Sequence, residues 1–285
     1  MDTELARTFL TVLSAGNFVK AAERLFLTQS TVSTRIRSLE QQLGCKLFIR
    51  NKGGTTLTAA GQQFQKHAVT LLRAVEQARH SVGIIQGFRA SLAVGGRFGI
   101  WEELLLAWLP AMRAAAPDIA ISAEIGFEED LMLGLVDGRI DIGVMYTPQA
   151  RPGLVVEALV EEELVLVLNP IKEGGQPLSS DYVYVDWGAE FKARHSTSFP
   201  DFTGPAITTN IGWLGLNHIL LHGGSGYFPR RLVRKHLDSG NLSLAKDTPT
   251  FKLPAYLVYP KDHDPSVFKI ALDQIRLFAA EIQSI

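Results

Sequence analysis

Residues 18–44 read FVKAAERLFLTQSTVSTRIRSLEQQLG, and their pattern decides the fold of the first part of the chain. Phe18, Ala21, Ala22 and Leu25 share one face of a helix that Asn17 can cap, and the small residues at 21 and 22 admit a second helix closely. After a short break, Leu27-Thr28-Gln29, a further helix starts near Ser30 and runs through Gln42 to Gly44. Its inner face is Val32, Ile36, Leu39 and Leu43, spaced four, three and four residues apart. Its outer face is Gln29, Ser30, Thr31, Ser33, Thr34, Arg35 and Arg37. Short polar and basic side chains of this kind reach base edges and phosphates without keeping a helix out of the major groove. Two helices across a tight turn, the second so decorated, read as a helix-turn-helix.

The flanks agree. Upstream, Leu5, Phe9, Val12 and Leu13 repeat at helical spacing over Thr3–Ala15, and Gly16 ends that helix. Downstream, Leu47-Phe48 and Thr56-Leu57 can pair as two short strands around Arg50-Asn51-Lys52-Gly53-Gly54. The two glycines permit a tight hairpin, and Arg50 and Lys52 put positive charge at its tip, where it would rest on a DNA backbone as a wing. Cys45 follows Gly44 and is expected to be a small buried residue. From Thr58 to about Ile85 the chain has no proline. Phe64, Ala68, Leu71, Val75, Ala78, Val82 and Ile85 follow one another by alternating steps of four and three, a heptad seam suited to pairing two copies.

Charge is distributed to match. Residues 1–60 carry eight Lys/Arg against four Asp/Glu, and residues 61–89 four against one, which leaves a net −8 on residues 90–285. A basic head on an acidic body lets one end alone meet phosphate. The single cysteine excludes a disulfide within the chain and a cysteine-rich zinc site. No apolar run reaches membrane-spanning length, and the N-terminus, with Asp2 and Glu4, lacks the basic and apolar regions of a signal peptide. The expectation is a cytoplasmic protein with no membrane partner.

From Ala90 onward strands and helices alternate. Strands are expected at Leu92–Gly95, Ile119–Glu124, Ile140–Met145, Leu164–Leu168, Tyr182–Val185, Gly226–Pro229 and Tyr256–Tyr259. Helices are expected at Trp101–Ala115, Asp130–Asp137, near Gly212–Leu221 and at Ser266–Gln283. This βαβαβ order marks a mostly parallel sheet with helices on its faces.

The run Ala21-Ala22, Leu27-Thr28-Gln29-Ser30-Thr31-Val32-Ser33, Ile36-Arg37-Ser38-Leu39-Glu40, Leu43-Gly44, Leu47-Phe48-Ile49-Arg50 and Leu57-Thr58-Ala59-Ala60-Gly61 closely resembles the N-terminal domain of LysR-type transcriptional regulators. Val136–Val144 and Gly223–Pro229 carry the resemblance into the second part, while the stretch around Asp186-Trp187-Gly188 is less typical. The implied fold is an N-terminal winged helix-turn-helix, mainly α, then a long linker helix, then a two-lobed α/β effector domain like a periplasmic solute-binding protein. The implied divisions are residues 1–60, 61–89 and 90–285, with lobe I about 90–162 plus 263–285 and lobe II about 163–262. The resemblance makes Ser30–Arg37 the recognition helix and Arg50–Thr56 the wing. Gln29, Ser30, Thr31, Ser33 and Thr34 would read bases, and Arg35, Arg37, Arg50 and Lys52 would hold phosphates.

It further implies an effector site between the lobes, with Arg97 and Phe98 on one wall and Thr208, Thr209 and Asn210 on the other. Phe127, Glu128, Tyr146 and Tyr227 are further candidates. Arg97 suits a small acid, and the aromatic residues a flat or apolar ligand. The implied partners are double-stranded promoter DNA, a small-molecule effector, a second copy along the linker helix with a homotetramer built from two dimers, and RNA polymerase. No cofactor or metal is expected. His218 and His222 lie four apart, but no HExxH accompanies them, and Gly223-Gly224-Ser225-Gly226 lacks the spacing of a nucleophile elbow. An enzyme is therefore not expected. A regulator without an effector, or a solute-binding module, remains the alternative.

Overall fold

The computed structural model describes residues 2–51, 54–82, 87–169, 178 and 180–283. The head comprises α1 (Thr3–Ala15), α2 (Phe18–Arg24), α3 (Gln29–Leu43), the hairpin β1 (Phe48–Asn51) and β2 (Gly54–Leu57), and the start of α4 (Ala59–Val82). Each early helix is ended by its own sequence. Asp2, Asn17 and Thr28 side chains cap the three N-termini, and Gly16 and Gly44 close α1 and α3 in the left-handed conformation. Phe9, Val12, Ala21, Val32, Ile36, Leu39 and Leu47 are buried together, and Phe9 meets Phe48 and Phe64 ring to ring. Ser33, expected outside, is buried instead. It precedes Ile36 by three positions, so it shares the inner face. Cys45, expected inside, is exposed, because it lies just past the Gly44 cap. Lys52 and Gly53, at the tip of the expected wing, lie outside the described residues; the strands on either side pair from Phe48 with Leu57 to Asn51 with Gly54.

Glu40 joins α3 to the wing. Its buried carboxylate accepts a hydrogen bond from the Leu47 amide at 3.0 Å and pairs with Lys46 at 2.7 Å. Burial pushes this carboxyl up, but the bonds from Lys46 and the Leu47 amide outweigh it and hold it below the usual carboxylate range. A depressed native-state value stabilises the fold above the unfolded-state value, and that contribution is lost as pH falls through the native one. Glu40→Gln is therefore expected to lower stability at pH 7 by about 1–2 kcal/mol. Its difference from wild type should shrink as urea unfolding is repeated from pH 6 down to pH 3; a constant difference would contradict the assignment.

Helix α4 rises about 36 Å. Phe64 and Ala68, the first two seam positions, are buried in the head's own core, while Leu71 and Val75 are half-buried and Ala78 is exposed. Ile85 lies outside the described residues.

The body follows as β3 (Ala90–Gly96), α5 (Phe98–Ile100), a π-helical turn over Trp101–Leu105, α6 (Leu106–Ala115), β4 (Ile119–Ile125), α7 (Glu128–Asp137), β5 (Ile142–Met145) and β6 (Leu154–Leu168). After these come β7 (Val183–Val185), α8 (Ala189–Ser198), β8 (Ile207–Thr209), α9 (Gly212–His222), β9 (Ser225–Pro229), α10 (Arg230–Asp238), β10 (Ser243–Leu244), β11 (Phe251–Pro260) and α11 (Pro265–Gln283). The single helix expected over Trp101–Ala115 is interrupted: the Leu106 amide bonds back five residues to Trp101, and Pro110 sits inside α6 without an amide to donate.

Strands β6 and β11 pair antiparallel over ten partners and connect the two lobes. In lobe I, β3 pairs parallel with β4 and β5, and β11 closes antiparallel on β5. In lobe II, β6 pairs with β9 and β10, while β7 and β8 form a separate parallel pair joined to β9 by a Tyr182–Ser225 bridge. Strand β6 is ten residues longer at its start than Leu164–Leu168, because its first half pairs with the end of β11.

Head and body touch through α7. Arg7 pairs with the buried Asp137 at 3.3 Å, Arg24 pairs with Glu129 at 2.8 Å, and Val136 packs on the head's core. No helix among the described residues is long and apolar enough to cross a membrane.

Candidate DNA-binding face and interlobe cleft

The outer face of α3 is organised from its cap. The Thr28 hydroxyl accepts the Thr31 amide at 3.2 Å and lies 2.8 Å from the hydroxyls of both Ser30 and Thr31. Both hydroxyls are thus held in place at the start of the helix. Gln29, Ser30, Thr34 and Arg37 are exposed and Thr31 is half-buried. Arg37 has no ion-pair partner among the described residues. Arg35 differs: its guanidinium reaches Glu4 at 3.1 Å and the Thr8 hydroxyl at 3.3 Å, tying α3 to α1. Arg50 stands in β1 opposite Thr55.

The second feature is a cavity of about 290 Å³ between the lobes. Arg97, at the end of β3, crosses it. Its guanidinium pairs with Glu128 at 3.3 Å, donates to the Asn210 carbonyl at 3.1 Å and lies 4.6 Å over the Phe127 ring. Phe98, Phe127, Tyr146 and Asn210 line the same cavity, so five of the expected residues, with Arg97, meet there. Glu128 joins them through its pair with Arg97. Thr208 and Thr209 do not; with Asn210 they line a neighbouring hollow beside Asp186 and His218.

Tyr227 is misplaced by the sequence reading. It is wholly buried, its hydroxyl bonded to the Pro249 carbonyl and its ring packed against Phe191 and Phe251 inside lobe II. It does not line the cavity; its carbonyl accepts the Trp187 indole N–H at 2.9 Å, and Trp187 is the residue that lines it.

Trp187, Asp130 and Arg231 line the cavity without having been singled out as ligands. Trp187 belongs to the atypical stretch around residue 186, and that irregularity was its only signal. A side chain on Gly212 would collide with it, so Gly212 lets α9 begin flush against the indole. Arg231 pairs with Glu162 at 2.8 Å, and the buried Tyr146 hydroxyl donates to the same Glu162 oxygen at 3.2 Å. Burial, then the Glu162 charge, drives the Tyr146 hydroxyl well above the ordinary phenol range, so it stays a donor.

Three histidines of the body have local explanations. His195 lies 2.9 Å from the Tyr182 hydroxyl inside an aromatic cluster, and burial lowers its basicity. The His218 and His222 rings lie 5.0 Å apart, but no group of three metal-ligating side chains occurs among the described residues.

Two family models match: the bacterial regulatory helix-turn-helix of the lysR family over residues 3–62, and the LysR substrate-binding domain over residues 85–181. The HTH-type transcriptional regulator HdfR of Yersinia pestis (strain Pestoides F) is 30% identical over 274 residues, covering 93% of this chain and 92% of that protein. Among solved structures, CbnR in complex with its target DNA aligns with a TM-score of 0.52 at 21% identity, covering 98% of this chain and 100% of that one. Full-length LysG of Corynebacterium glutamicum, solved with its effector Arg bound, aligns with a TM-score of 0.57 at 18% identity over 99% of both chains. With the capped α3, the hairpin behind it and a two-lobed body around a cleft, these matches establish that the chain belongs to the LysR family of helix-turn-helix transcriptional regulators.

Proposed function

We propose that this regulator reads promoter DNA with the outer face of α3, as a dimer paired along α4, and that a small molecule held between the lobes changes how the heads are presented. The capped, exposed polar face of α3 carries the reading. Gln29, Ser30, Thr31 and Thr34 contact base edges; Arg37, Arg50 and Lys52 contact phosphates; Arg35 braces α3 from behind. The half-buried and exposed seam positions from Leu71 to Ala78 pair two copies, and two dimers make a tetramer. CbnR, of the same fold, is solved on its target DNA, and LysG with an effector, which supports both halves of the proposal. The protein acts in the cytoplasm, catalyses no reaction and works through RNA polymerase at the promoter.

Cleft and head meet on α7. Its first turn places Glu128 on Arg97 at the cleft and the next residue, Glu129, on Arg24 of the head. A ligand that moves Arg97 therefore acts on one end of the helix that seats the head.

Selection from a library of genomic fragments tests the proposal. Wild type should enrich a partly palindromic motif, and Gln29→Ala/Thr34→Ala should blur that motif while keeping non-specific binding. Enrichment of the same motif by the variant would contradict α3 as the reader.

A further inference from the structure

The walls of the cleft say what charge its ligand carries. Three charged residues line the cavity: Arg97, Arg231 and, at its exposed rim, Asp130, which also borders the hollow between lobe I and the head. Arg97 already has Glu128 at 3.3 Å, and Arg231 already has Glu162 at 2.8 Å. Asp130 has no ion-pair partner among the described residues; the Arg139 guanidinium donates to its backbone carbonyl, not to its carboxylate. The charge left uncompensated at the cleft is thus negative. An anion would have to share Arg97 with Glu128 or displace it, while lying near Asp130, and the like charges cost free energy in either case. The rest of the wall is flat and apolar: Phe98, Phe127, Trp187, Ile125 and Ile211. Ring faces favour aromatic guests and also cations. A cavity of about 290 Å³ has room for one or two fused rings, given that a cavity of about 150 Å³ holds benzene.

We infer that the effector is a small aromatic amine, its ring against Phe98, Phe127 and Trp187 and its ammonium group toward Asp130. This replaces the small acid that Arg97 suggests when its partner Glu128 is not considered. The inference rests on the cleft being the effector site.

Three probes sharing one ring system test it by calorimetry on the full-length protein: tryptamine (a cation), indole (neutral) and indole-3-acetate (an anion). Tryptamine should bind about threefold to fivefold more tightly than indole, and indole-3-acetate most weakly, as one exposed carboxylate predicts. Asp130→Asn should bring tryptamine down to the level of indole and leave indole unchanged. Tightest binding by the anion, or a tryptamine preference that survives Asp130→Asn, overturns the inference and leaves the cleft standing as a ligand site. Binding by none of the three at millimolar concentration also overturns it. Gly212→Trp separates the deeper failure: a side chain there meets the Trp187 ring at the cavity wall, so a bulky one intrudes on the cavity. Probe binding indifferent to it would place the rings outside the cleft and overturn the effector-site reading as well.

Discussion

Gly61→Ala should destabilise the head by about 3 kcal/mol and abolish DNA binding at 37 °C. Gly61 is buried in the first turn of α4, and a Cβ there would lie 2.2 Å from the Leu47 carbonyl oxygen. That oxygen cannot retreat cheaply. It accepts the Thr58 amide at 3.0 Å, while the Thr58 hydroxyl donates to the Lys46 carbonyl at 2.6 Å and accepts the Gly61 amide at 3.0 Å. Wing and linker helix are thus clamped where only glycine fits. Intrinsic propensity predicts the opposite sign, since alanine favours a helix over glycine by roughly 0.5–1 kcal/mol. Urea unfolding of the full-length protein decides between them, and a variant as stable as wild type would show that no close approach exists.

Arg37→Ala should weaken binding to a selected promoter fragment about tenfold and reduce the slope of log K against log salt by about 0.9, the loss of one phosphate contact. Thermal stability should not change, because Arg37 is exposed and holds no ion pair among the described residues. Arg35→Ala should behave differently. Its bonds to Glu4 and Thr8 lie within the head, so its removal lowers the melting temperature along with affinity. Equal salt slopes for wild type and Arg37→Ala, from filter binding between 50 and 200 mM salt, would remove Arg37 from the DNA interface.

Local rules carried the reading of the head. The spacing of Val32, Ile36 and Leu39, the cap at Asn17 and the glycines at 16 and 44 are properties of neighbouring residues, and the structure repeats them, adding a Thr28 cap within the expected break. Ser33 and Cys45 went astray because one residue of helical phase, or one step past a cap, reverses burial. In the body, α8 and α10 went unread. Helix α8 is mostly polar, with few apolar residues to set a period, and α10 carries five basic residues among nine. The cleft was legible as to place but not as to charge. Arg97 reads as an anion site by itself, and what cancels it is Glu128, thirty-one positions away, brought near only by the pairing of β3 with β4. Tyr227 failed in the same way, since a strand's inner and outer faces are indistinguishable when both are buried.

The central claim is that α3 of two paired chains enters successive major grooves. Hydroxyl-radical and dimethyl-sulfate footprinting of the wild-type protein on a selected fragment tests it directly. Two related half-sites should appear, their centres about 10 base pairs, or a multiple of that, apart, with guanine N7 protected in each and that protection weakened by Gln29→Ala/Thr34→Ala. A single protected segment, or minor-groove protection with guanine N7 left reactive, would contradict it.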